Sequence, residues 1–139
     1  MKRSAVVLAL AGTSLLGACG SSSKMTLQSV MVKPDKPSEV TLSTQQVTIL
    51  RDAVGALAGT GEKAAYDYVA VATASGQTHV CGTVTPDAAS RLAQAGRRAI
   101  PFYLELRMVD GAPAPHRGQV GLTTSNAAKI KFVCQRQGL

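Results

Sequence analysis

Apolar and polar positions change their period several times along the chain, and each change marks an element. Val47, Leu50, Val54 and Leu57 recur at alternating spacings of three and four, which places them on one stripe of an amphipathic helix. Ser43 and Gln46 stand three apart just before that stripe, the spacing of a capping box, and Leu42 and Val47 flank the cap as a hydrophobic staple. Gly59 and Gly61 end the helix. From Tyr66 the period falls to two. Tyr66 to Thr73 reads as a strand, Ser75-Gly76 as a turn, and Gln77 to Thr85 as the hairpin partner. In that partner Val80, Gly82 and Val84 share one face, and His79, Cys81 and Thr83 share the other.

Thr85-Pro86-Asp87 has the form of an N-cap with proline at the first helical position, opening a short helix through Ala88, Ala89, Leu92 and Ala95 to Gly96. Phe102, Leu104, Leu106 and Met108 then alternate with Tyr103, Glu105, Arg107 and Val109, the cleanest strand pattern in the chain. Asp110-Gly111 turns the chain into Ala112 to Gly118, where Pro113 and Pro115 predict an irregular loop. Val120 and Leu122 start a further strand, and Ile130, Phe132 and Cys134 form the inward face of the last one. The sum is an α+β fold, with one or two helices packed on an antiparallel sheet of about four strands. One sheet face is expected under the amphipathic helix and the other in solvent, where Lys129 and Lys131 would stand with Glu105 and Arg107.

The N-terminal pattern is of another kind. Met1-Lys2-Arg3 is a basic start, Ala5 to Leu16 is an apolar run, and Leu16-Gly17-Ala18-Cys19 follows directly. This resembles the lipobox of bacterial lipoproteins. The resemblance implies cleavage before Cys19, a diacylglycerol and palmitate anchor on its thiol, and residence in the cell envelope. Gly20 after Cys19, with no aspartate there, is similar to the outer-membrane sorting signal of enteric bacteria and implies an outer-membrane anchor facing the periplasm. The alternative is an ordinary secretory signal with a cysteine that happens to follow the cleavage site. The apolar run falls well short of the roughly 20 residues that cross a hydrocarbon core. The organisation expected is therefore a signal peptide over 1–18, a flexible tether over 19–42 and a small α+β domain over 43–139. The tether carries Gly20-Ser21-Ser22-Ser23 and Lys33-Pro34-Asp35-Lys36-Pro37, which favour extended chain, and Met25, Leu27, Val30, Met31 and Val32, which are apolar enough for a short docked strand.

With Cys19 committed to lipid, Cys81 and Cys134 are left in an oxidising compartment, and two cysteines allow one connectivity, a Cys81–Cys134 disulfide. Charge adds a second asymmetry. Loss of Lys2 and Arg3 lowers the formal +7 by two to +5, and the whole excess falls after Pro86. Arg97, Arg98, Arg107, Lys129 and Lys131 are the candidate contacts for an anionic partner there: a lipid head group, a cell-wall polymer or an acidic envelope protein. The bland reading of the same residues is a solvated face that keeps the domain soluble. Nucleic acid is excluded as a partner by the exported setting and the scarcity of aromatic residues for stacking.

No catalytic constellation emerges. His79 and His116 are the only histidines, no Gly-x-Ser-x-Gly elbow is present, and the acidic residues are scattered. His79-x-Cys81 is half a metal site whose sulfur the disulfide would consume, so neither metal nor cofactor is expected. Gly59-Thr60-Gly61-Glu62-Lys63 lacks the ending of a phosphate loop. Val80-Cys81-Gly82-Thr83-Val84, with Pro101-Phe102 and a late Cys134, resembles a group of small exported bacterial proteins carrying a Cys-Gly-x-Val-Asn segment and a later Pro-Phe. That resemblance implies compartment and fold more than mechanism; Thr85 stands where the group has asparagine. The expectation is a non-enzymatic, lipid-anchored envelope protein with a structural or interaction role. The alternative is an inhibitor of a wall-degrading enzyme that uses the Ala112–Gly118 loop, and a small histidine-dependent hydrolase comes third.

Overall fold

The computed structural model describes residues 37–139. The signal peptide, Cys19 and most of the tether lie outside the described residues. The elements run β1 (Ser38–Glu39), α1 (Thr44–Ala58), β2 (Ala65–Ala72), β3 (Thr78–Thr85), α2 (Arg91–Gln94), β4 (Ile100–Val109), β5 (Ala112–Val120) and α3 (Thr124–Arg136). The five strands form one antiparallel meander in the order β1-β2-β3-β4-β5. Three helices on this sheet make an α+β domain with a single disulfide, Cys81–Cys134.

Helix α1 starts where the capping box predicts. Ser43 Oγ accepts the Gln46 amide at 3.2 Å, and Gln46 Oε1 accepts the Ser43 amide at 2.9 Å, so two donors that the first turn would orphan are satisfied. The helix stops at Gly59, whose amide donates back to Gly55 O. Leu50, Val54 and Ala58 face inward and pack with Val80, Val84, Phe102 and Leu104. Leu57, placed on the same stripe by its spacing, is 46% exposed.

The sheet's second face is also covered, which corrects the expectation of a solvated one. Tyr103 and Cys81 alternate with the α1-facing residues of β4 and β3, so they point the opposite way, and there they cluster with Ile130 and Cys134 of α3. The chain from Thr124 to Arg136 is a helix, not the last strand. Thr123 caps it by accepting the Asn126 amide at 3.2 Å. Ile130 and Cys134 sit four apart on the buried side, while Phe132 is 60% exposed. The alternation from Lys129 to Cys134 fits both periods, and the Thr123 cap together with burial against the sheet decides for the helix. The disulfide therefore ties β3 to α3, across a Cα–Cα distance of 6.0 Å.

Two further boundaries move. Ala112–Val120 is an edge strand paired with β4, not a loop, because a proline at an edge can turn its missing donor away from the ladder. The pairing shifts by one residue at Glu105/Leu106, which leaves His116 as a bulge between Arg117 and Pro115. Asp110 (φ 50°) and Gly111 (φ 80°) make the two-residue hairpin, a left-handed pair that favours glycine. The short helix α2 is capped by Ser90, whose Oγ accepts the Ala93 amide, and Thr85 instead ends β3. At the front, Ser38 and Glu39 pair with Ala72 and Val71, and Leu42 is buried in the core, so residues assigned to the tether belong to the domain.

Candidate functional site

Helix α3 crosses the second sheet face and the disulfide fixes it there. Cys81 lies between His79 and Thr83 on that face of β3, so the bond separates a polar pocket on the His79 side from an apolar groove on the Thr83 side.

The polar pocket encloses about 450 Å³ and is built on cross-strand partners. His79 is opposite Glu105, and Tyr103 is two residues before Glu105 on β4. His79 Nδ1 and the Tyr103 hydroxyl share a hydrogen bond of 2.8 Å, with the two rings stacked at 6.0 Å between centroids. Arg107 Nε donates to Glu105 Oε1 at 2.7 Å. Glu105 is 4% exposed and His79 5%, so both are desolvated. Burial holds His79 below the usual histidine range, against a smaller upward pull from Glu105. Burial raises the Tyr103 hydroxyl, and the negative charge of Glu105 adds to it. For Glu105 burial pushes upward, but the hydrogen bond and charge of Arg107, with help from His116 and His79, bring the carboxyl below its usual value. A neutral imidazole, a neutral phenol and a carboxylate neutralised by arginine thus fill the pocket floor. Among the described residues no buried side-chain nitrogen or oxygen lacks a partner, and no group of three metal-ligating side chains converges. Glu105 and Tyr103 were not legible as a pair with His79, because their burial depends on α3.

The apolar groove encloses about 620 Å³ between α3 and strands β2, β3 and β4. Val69, Pro101, Ala127 and Ile130 line it with the disulfide, and Lys131 stands at its rim. Gly82 lies in its wall, where a Cβ would run into the backbone of Asp67 and Tyr68. The glycine after Cys81 is thus required by close strand contact.

The basic residues singled out in the sequence do not share one patch. Arg107 is spent on Glu105. Arg97 reaches the Leu122 carbonyl at 2.9 Å, just before α3, and Arg98 is exposed in the α2–β4 connection. Lys129 and Lys131 lie on opposite flanks of α3, Lys131 over the apolar groove and Lys129 beside Gln119, Phe132 and Val133. Sequence reasoning missed the outward face of α3 itself, because it read that segment as a strand. There Lys129, Phe132 and Arg136 follow at spacings of three and four, and the Arg136 guanidinium lies 5.8 Å from the centre of the exposed Phe132 ring. The helix contains three cations and no acidic residue.

No family model, no curated protein and no solved structure matches the chain. No helix among the described residues is long and apolar enough to cross a membrane.

Proposed function

We propose that this is a bacterial lipoprotein, held in the envelope by acylated Cys19, whose domain works by binding an anionic envelope component. The outward face of α3 is the contact surface. The observation that carries the reading is the Lys129–Phe132–Arg136 face, an exposed aromatic ring between two cations on a helix without acidic residues. Such a face supplies charge attraction and an apolar anchor together. The Glu105–Arg107 bridge is the one ion pair among the described residues, so the remaining arginines and lysines of the C-terminal half keep their charge for partners. The polar pocket serves as a satisfied internal network that positions β3 against β4. Ala112–Gly118, the inserting loop of the inhibitor reading, lies in the strand β5 paired with β4.

The test is capture of purified lipopolysaccharide by the full chain held in neutral phosphatidylcholine vesicles, at low and high salt. Lys129→Glu with Arg136→Glu should abolish capture, and Arg98→Glu should leave it nearly unchanged. Equal loss in both would return the charge to a general field, and no capture by the native chain would remove this reading.

A further inference from the structure

We infer that the groove between α3 and strands β2, β3 and β4 is a binding site for a single hydrocarbon chain with an anionic head, a long-chain fatty acid. Its volume of about 620 Å³ lies within the range of small-molecule sites. Its lining decides the ligand class. Val69, Pro101, Ala127 and Ile130 with the disulfide offer apolar surface, and Thr83 and Thr124 are the only uncharged polar side chains among the described lining residues. A sugar or a peptide backbone seated there would bury many donors and acceptors without partners, whereas a hydrocarbon chain has none to satisfy. Shape favours a chain as well. The groove adjoins a second trough of about 670 Å³ between β1, β2 and the C-terminal turn, and the two share Val69 and Leu139. A chain longer than the groove would have to pass these two shared residues to reach the trough.

Charge sets the direction. Lys131 carries the one charged side chain lining the groove among the described residues, and it is exposed at the rim. Glu39 lines the far trough and would repel a carboxylate there. The head group therefore sits at Lys131, near the Thr124 hydroxyl at the start of α3, and the tail passes Val69 toward the trough. Thr124, Ala127, Ala128 and Lys131 fall on one flank of the helix by their spacing, and the small alanines keep that flank from filling the groove. The site uses a different flank of α3 from the Lys129–Phe132–Arg136 face. It does not depend on that face, although an envelope setting would supply the ligand.

The test places the full chain in neutral phosphatidylcholine vesicles with a palmitate that carries a photoactivatable group at its tail end, and maps the cross-linked peptides. The expected result is saturable labelling of peptides from β2 and α3, displaced by unlabelled palmitate more effectively than by hexadecanol. Val69 is 44% exposed, so Val69→Trp adds bulk at the surface and should bring labelling to background. Lys131→Glu, also at an exposed position, should weaken palmitate by about fivefold, the scale of an exposed ion pair, and leave a neutral hexadecanol probe unchanged. Labelling that misses the groove, or survives Val69→Trp, would overturn the assignment. So would groove labelling that emerges only on deletion of residues 25–32, which would give the trough to the chain's own upstream segment. Lipopolysaccharide capture on the same preparations separates the two proposals: loss of labelling with capture intact fails only the fatty-acid site, and the reverse fails only the α3 face.

Discussion

Helix α3 is held to the sheet by very little apolar surface, and this makes the Cys81–Cys134 bond the sharpest point at which to perturb the domain. The buried cluster on that face consists of Cys81, Tyr103, Ile130 and Cys134, and two of its four members are the bridge itself. The cysteines are separated by 53 residues. On the chain-entropy model a loop of that length restricts the unfolded state by about 4 kcal/mol. A domain of this size has a total stability of roughly 5–15 kcal/mol, so the bond is a large fraction of it. The assay is urea unfolding of the full chain in neutral vesicles, followed by circular dichroism, with and without reduction, and alongside a Cys81→Ala/Cys134→Ala double variant. With a urea dependence of about 1–2 kcal/mol/M, the midpoint should fall by roughly 2–4 M. Hydrogen exchange should show α3 opening before α1, whose face carries the larger core. A midpoint that moved by less than about 0.5 M would refute the reasoning, since it would mean that α3 docks without the bridge.

Three further predictions concern other parts of the domain. Folded His79 and Glu105 both have lowered pKa values, so each binds fewer protons than in the unfolded chain; stability is full above their ordinary values of 6.5 and 4.5 and declines as pH falls below them. Thermal unfolding between pH 7 and about pH 3 should show this loss, and His79→Gln should flatten the upper part of the curve. Phe102, fully buried under α1, should cost about 3–5 kcal/mol when replaced by alanine, read from denaturant midpoints. Gly111→Ala places a side chain at φ 80° in the β4–β5 hairpin and should cost about 1–2 kcal/mol in the same measurement, whereas Ala112→Ser beside it should cost almost nothing.

What could be read from the chain follows the range of the forces involved. Helix α1, the β2–β3 hairpin and strand β4 depend on local signals: a capping box, a period of two, a turn residue. Their positions come out within a residue or two. The Cys81–Cys134 disulfide follows from the count of cysteines and the expectation of an oxidising compartment. The α3 segment is ambiguous locally, because Ile130 and Cys134 lie on one side of a helix by a four-residue spacing and on one side of a strand by an even one. The Thr123 cap and the sheet face beneath together select the helix. Reading α3 as a strand leaves the second face of the sheet open to solvent, puts Glu105 in water and hides the outward Lys129–Phe132–Arg136 face. Strand β5 was hidden by two prolines whose meaning depends on their place at an edge, a property of the sheet and not of the segment.

The claim that α3 is the contact surface is tested most directly by hydrogen exchange of the full chain in neutral vesicles, with and without lipopolysaccharide. Protection concentrated in residues 124–136, lost at high salt and lost in Lys129→Glu/Arg136→Glu, is the predicted result. Protection over α1 or β5 with exchange in α3 unchanged would contradict it.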